Sequence, residues 1–328
     1  MNRKPFAKHR LSGQIGLVVL SAVLAAPVLA ADTSFGIDAN IELDTDAVKS
    51  SSSSTKYSQG GRVEVNVHGE HRMGEHFVKA RGTGLLKKGG DTGTDDMWIM
   101  FGSNAWDLQA GRFEALNLFP LGKDTLIAHA GGGQASVYEA NLVRGRVSDG
   151  GQFAFHLNPS DNLSFELATA YGQGDKTRAF TGIRPSVTFR ADAFSLSAGY
   201  EHQKFDESGG AKVDKNGVGV TAGFNAGDAV INLSVAHLRD SSASDKIKVN
   251  SYGANVTYGP FGAGLIHSKT SLPGASDPDV TTAYAAYTVP LFDIDRASVT
   301  FAGSTSRASN VAADKTVNAL RMRFNYAF

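Results

Sequence analysis

Apolar and polar residues alternate with a period of two along most of this chain. The pattern is sharpest at the end, where Leu320, Met322, Phe324, Tyr326 and Phe328 alternate with Arg321, Arg323, Asn325 and Ala327. A period of two belongs to an extended strand, whose successive side chains point to opposite faces. One face here is apolar and ends in aromatics; the other carries two arginines. Ile37, Ala39, Ile41 and Leu43 alternate in the same way with Asp38, Asn40, Glu42 and Asp44, and Val63, Val65 and Val67 with Arg62, Glu64, Asn66 and His68. The alternation returns around 97–101, 163–171, 194–201, 231–235, 252–258 and 298–301.

Such strands fit either a half-buried soluble sheet or a membrane wall. An arginine facing lipid at mid-bilayer costs about 2–4 kcal/mol. In a membrane wall, therefore, Arg321 and Arg323 must face an aqueous interior. The N-terminus favours the membrane. Arg3, Lys4, Lys8 and Arg10 form a basic head, an apolar run follows from Ile15 to Leu29, and Val28, Leu29 and Ala30 form a small-residue cleavage site. This is the pattern of a secretory signal peptide over 1–30, leaving 31–328 as the mature chain. The run before Pro27 is shorter than the roughly 20 residues of a membrane helix.

The connections alternate in length. Short ones are expected near 71–75, 102–105, 158–162, 191–193, 225–228, 258–262 and 291–296, and longer polar ones near 47–59, 87–94, 173–179, 206–214, 240–248, 270–280 and 308–314. Short turns on one side and long loops on the other are the rhythm of a transmembrane antiparallel β-barrel. The count is sixteen strands, with both chain ends on the short-turn side and 137–151 assigned mainly to a long third loop. The serine run 50–54 reads as flexible loop.

Composition narrows the choice further. The chain has no cysteine, so disulfides and thiolate metal sites are excluded. Its 32 basic and 32 acidic residues give no net charge and no sign of nucleic-acid binding. Mean hydropathy is only −0.17, as expected when lipid-facing and lumen-facing residues alternate.

One stretch carries a more specific signal. Gln109-Ala-Gly-Arg-Phe-Glu-Ala-Leu-Asn-Leu-Phe-Pro-Leu-Gly-Lys-Asp-Thr125 leaves the fifth strand and enters the longest connection, about 113–149. A long loop of defined character is usually functional, and its apolar residues need a surface to pack on. Here, and in the C-terminal phenylalanine, the chain resembles Gram-negative outer-membrane porins, and the run after Gly111-Arg112 looks most like the glycoporins of the raffinose and cyclodextrin kind. The resemblance implies a third loop folded into the lumen as a constriction, with passive passage of small polar solutes, sugars preferred. The acidic constriction motif of the enteric general porins is absent in its usual form. Some glycoporins have 14 strands and are monomers, so 14 is the alternative count.

The resemblance places Glu114 and Asp124 as loop carboxylates opposite wall arginines Arg62, Arg81, Arg321 and Arg323, with Arg112 at the loop's start. Trp98 and Phe119 are candidate sugar-contacting aromatics, and Tyr326 and Phe328 belong to the signal read by the barrel-assembly machinery. Outer-membrane lipid and lipopolysaccharide are the implied surroundings. A homotrimer is also implied, its seam suggested by the small outward set Val78, Ala80, Gly82 and Gly84. No cofactor is called for. The other readings are a barrel hydrolase of lipase or protease type and a non-conducting structural or adhesive barrel. His68, His71, His129, His156, His202 and His237 lie in no triad-like or metal-like spacing.

Overall fold

The strands form where the alternation places them. A computed structural model describes residues 33–328 apart from 124, 175–177, 207–211, 243–245 and 275. The proposed leader lies outside the described residues. The strands are β1 (Thr33–Ser50), β2 (Lys56–Met73), β3 (His76–Lys87), β4 (Thr92–Ser103), β5 (Trp106–Arg112), β6 (Gly150–Ser160), β7 (Leu163–Gly174) and β8 (Arg178–Ala191). They continue as β9 (Phe194–Asp206), β10 (Lys212–Ala226), β11 (Ala229–Asp240), β12 (Ile247–Tyr258), β13 (Phe261–Ser271), β14 (Asp279–Pro290), β15 (Ala297–Ser309) and β16 (Thr316–Ala327). Each pairs antiparallel with its chain neighbours, and β1 pairs with β16, so the sixteen strands close into one barrel. The sixteen-strand count holds and the fourteen-strand alternative does not.

Closure follows from the surroundings. An open strand edge leaves backbone N–H and C=O groups that lipid cannot satisfy. The last edge is sealed by reciprocal bonds: the Ala39 amide donates to the Phe328 carbonyl and the Phe328 amide to the Ala39 carbonyl, both at 2.8 Å. The same register brings Asp44 opposite Arg323 and Asp46 opposite Arg321.

The two faces of the wall separate as the pattern requires. Ile37, Val78, Leu233, Tyr252, Phe301, Leu320 and Phe324 are exposed on the outside. Aromatic pairs Phe194–Phe224, Phe261–Tyr287 and Tyr326–Phe328 gather toward the short-turn end, with ring centroids 5.3, 4.5 and 5.5 Å apart. This is the aromatic girdle that marks a bilayer boundary.

The serine run departs from its expected character. The amide of Asp314 donates to Ser52 Oγ at 2.8 Å, that of Thr316 to Ser51 Oγ at 3.2 Å, and Ser50 Oγ bonds the Asp314 carboxylate. Short hydroxyl side chains readily bond nearby backbone, so the run is a clasp between the first and last long-side loops.

Candidate functional site

The β5–β6 connection, 113–149, is laid along the inside of the barrel. Leu118, Phe119, Tyr138 and Ala140 are buried with wall residues Ala236, Val249, Ile266 and Tyr284. Small inward residues make room for it. A Cβ at Gly253 would stand 2.6 Å from the Phe119 ring, and one at Gly217 would collide with Tyr138. Inward hydroxyls then satisfy the loop's irregular backbone. The amides of Ala128, Ala130, Ser136 and Tyr138 donate to Ser304, Ser306, Thr270 and Ser251 at 3.2, 2.8, 3.0 and 2.9 Å. Thr221 and Ser268 donate to the carbonyls of Leu118 and Ser136 at 2.8 and 2.7 Å. Non-helical backbone at membrane depth is tolerated only with such partners.

One buried carboxylate locks the loop. Glu201 on β9 and Arg184 on β8 are both 0% exposed and 2.8 Å apart. Glu201 also accepts from the Tyr138 hydroxyl at 2.7 Å and from the amides of Leu142 and Val143 at 3.0 and 3.1 Å. Burial and the neighbouring Glu201 push the Tyr138 hydroxyl pKa up, so it remains a neutral donor. A second carboxylate, Glu166 on β7, accepts the Leu116 amide at 3.0 Å. The loop tip is held from the other side, where the Gly131 amide donates to the Asp314 carbonyl at 2.8 Å. Asp314 thus joins three loops.

The loop covers inner positions from β6 round to β15. The wall of β16, β1, β2, β3 and β4 remains open to the lumen, and it is charged. Arg323 binds Asp44 through two bonds of 2.6 and 2.9 Å, and Arg321 binds Asp46 through two of 2.8 Å. Arg62 lies 3.4 Å from Glu42 and 3.2 Å from Glu64. Arg81 lies 3.7 Å from Asp96 and donates to Asn66 at 2.8 Å. The loop's return limb joins this network: Arg146 meets Asp96 at 2.7 Å and Glu114 at 2.7 Å, and Arg144 meets Glu114 at 2.6 Å.

The expected site residues therefore divide. Arg62, Arg81, Arg321 and Arg323 do share one lumen wall, where they form an alternating acid–base ladder. Strand pairing sets acids of β1 and β4 beside them. Glu114 is tied to arginines of its own loop. Arg112 clips the loop's start, donating from Nε to the Asp95 carbonyl at 2.8 Å and from Nη1 to Ser148 at 2.7 Å. Phe119 is corrected: at 2% exposure it faces the wall and anchors the loop, so no solute reaches it. Trp98 points inward and packs on the cluster of Phe113, Ala115, Ala154 and Ala168. Asp124 lies outside the described residues. The reading of the sequence missed the Arg184–Glu201 lock. Its signal was two charges in the inward register of β8 and β9, which a sealed loop would have to neutralise.

A barrel narrowed by an inward loop and faced with ion pairs can now be compared with known proteins. The family profile described as porin-like glycoporin RafY matches residues 28–328. The chain belongs to that family. It is an outer-membrane porin, a passive channel for small hydrophilic solutes. No curated protein matches it by sequence. Among solved structures, the anion-selective porin of Comamonas acidovorans is 13% identical with a TM-score of 0.70, over 90% of this chain and 100% of that one. The trimer form of OmpT, an outer membrane protein of Vibrio cholerae, gives 13%, 0.70, 90% and 100%. OmpF of Salmonella typhi in complex with daunomycin gives 11%, 0.64, 89% and 97%. At these identities the likeness concerns the fold.

Proposed function

We propose that this porin passes neutral polar solutes, sugars and oligosaccharides foremost, through the space between the inward loop and the open wall of β16–β4. The observation that carries the reading is the pairing of that wall. Each of its four arginines meets a carboxylate within 4 Å, so the wall presents paired hydrogen-bonding groups in place of a stripe of one sign. Neutral hydroxylated solutes meet donors and acceptors there without a barrier of one sign. The family's glycoporin description supports the same solute class. Planar-bilayer recording of the purified protein tests it. The expected result is stepwise ion conductance that oligosaccharides reduce reversibly; conductance indifferent to sugars would remove the sugar preference.

Catalysis is not part of this reading. His156, the histidine best placed for it, has Nδ1 bonded to Asp107 and Nε2 3.3 Å from Glu166, so neither ring nitrogen is left to activate a serine. We assign residues 1–30 to a leader removed on export, which N-terminal sequencing of the mature protein checks. Tyr326 and Phe328 serve as the signal for barrel assembly into a bilayer of lipid and lipopolysaccharide. The assembly is a homotrimer. Its seam is the outer face of β2–β5, where Gly69, Ala80, Gly82 and Ala110 line a shallow apolar groove beside Met97 and Ile99. Cross-linking in mild detergent that yields only monomer would reject it.

A further inference from the structure

A cavity of about 360 Å³ lies at the long-loop mouth of the lumen, outside the ladder of ion pairs. Its floor is the return limb of the inward loop, with Asn141, Arg146, Ser148 and Asp149; its wall is formed by Phe180 of β8 and Gln203 of β9. Phe180 occupies an inward register position, two residues from Gly182 and four from Arg184. Its ring edge lies against Gly172 of β7, 3.0 Å from where a Cβ would stand, so the ring rests beside bare backbone. The ring joins no aromatic pair among the described residues and is half-buried. An inward phenylalanine with no aromatic partner, at a wet mouth, has its remaining apolar surface turned to the cavity.

The polar groups around that ring are equally unengaged. The side chains of Asn141, Asp149 and Gln203 make no hydrogen bond or ion pair among the described residues, although the neighbouring loop is extensively bonded. Two amides and a carboxylate supply both donors and acceptors. Arg146 is held by Asp96 and Glu114 at the cavity's edge, and Ser148 is engaged by Arg112. The cavity has one aromatic plate, with the planar amide of Gln203 beside it on the wall and the planar groups of Asn141 and Asp149 on the floor, each able to meet two adjacent hydroxyls. A pyranose has complementary parts: a face of C–H groups and a rim of hydroxyls. A small cation would use Asp149 but not the ring, and a linear polyol offers no flat face to it.

We propose that this cavity is an outer sugar subsite. A terminal pyranose of the incoming solute lies on Phe180 and hydrogen-bonds Gln203, Asn141 and Asp149 before it meets the constriction. The inference rests on the sugar-channel reading and deepens it by naming the residues that collect the solute. The residues are legible only in the folded chain, because Phe180 and Gln203 become neighbours of Asn141 through the inward course of the loop.

The test is sugar titration of single channels of the full-length protein in planar bilayers, using raffinose as the probe and mannitol as the open-chain control. Phe180→Ala should raise the half-blocking raffinose concentration about 3- to 10-fold when the sugar is added on the long-loop side, the range expected for losing one stacking contact. Phe180→Tyr should keep the block, and ion conductance without sugar should be unchanged in both. Gln203→Ala is a second variant, with block weakened in the same direction. Wild-type block by raffinose with an unaltered half-blocking concentration in both alanine variants would overturn the subsite and leave the sugar-channel reading standing. Absence of block in the wild type would overturn both. Equal block by mannitol at matched concentration would overturn the role of the ring.

Discussion

The inner surface of this barrel is two different walls. From β7 to β15 the inward positions are mostly glycine, alanine, serine and threonine, and the loop lies against them. From β16 round to β4 they are mostly Asp, Glu and Arg, with Asn66, Thr83 and Trp98 among them, and the ion pairs face the lumen. The same strand geometry and the same period of two build both. What differs is whether the inward residue must satisfy a chain segment or a solvent-filled space. Small hydroxylated residues satisfy an irregular backbone at close range. Ion pairs between neighbouring strands satisfy one another and leave their polar surface to the lumen.

The two walls make distinct predictions. The largest concerns the buried lock. Glu201→Ala leaves Arg184 buried without its 2.8 Å partner and frees the Tyr138 hydroxyl and two loop amides. Breaking such a pair costs about 3–5 kcal/mol. The loop should leave the wall, giving larger and noisier conductance and proteolytic cleavage within 113–149. A quiet wild-type-like channel would show that the lock is dispensable. Next, Gly253→Val places a side chain in the seat of the Phe119 ring, an overpacking that costs about 1–3 kcal/mol. Thermal unfolding followed by heat-modifiable gel mobility should fall, while the same change at a position facing the open lumen should not lower it.

On the open wall the expected change is in selectivity, with little loss of fold. Replacing Arg321 and Arg323 together by glutamine leaves Asp44 and Asp46 without their cations. Reversal potentials in a salt gradient should shift toward cations. Asp44→Asn with Asp46→Asn should shift them toward anions. If both pairs leave the reversal potential unchanged, the wall does not border the conduction path.

The smallest effect is a pH dependence confined to the covered side. Burial raises the Glu139 carboxyl pKa above its ordinary value, opposed by nearby Arg144. The seated loop therefore holds this proton more tightly than a released loop would. That contribution is complete below the ordinary carboxylate pKa and is lost as pH rises through the raised value. Glu139→Gln should remove this drift from the pH profile of channel flicker, measured between acidic and neutral pH. Burial lowers the His129 imidazole pKa, so a step from that ring falls on the acidic side of its ordinary value and survives Glu139→Gln.

Much of this architecture could be read from the chain. The period of two and the alternating connection lengths are local properties, and they carry the strand count and closure. The inward arginines at 62, 81, 321 and 323 were legible for the same reason. Their partners were less so, because Asp44 meets Arg323 only across the seam between the chain's two ends. Phe119 read as a solute contact because its sequence neighbours are apolar in either case. Only the glycine opposite it, 134 positions along at Gly253, shows that the ring is turned to the wall. The serine run read as slack chain because its partner, Asp314, lies at the far end of the sequence.

The most direct test of the two-wall account uses the absence of cysteine from the chain. Arg62→Cys places a single thiol on the open wall, and Ser268→Cys places one beneath the loop, where the residue is 0% exposed. Each variant is recorded in a bilayer while a charged, thiol-specific reagent is added. The account predicts that current through Arg62→Cys falls stepwise and that current through Ser268→Cys does not change. Block of Ser268→Cys with no effect on Arg62→Cys would place the pathway along the wrong wall and contradict it.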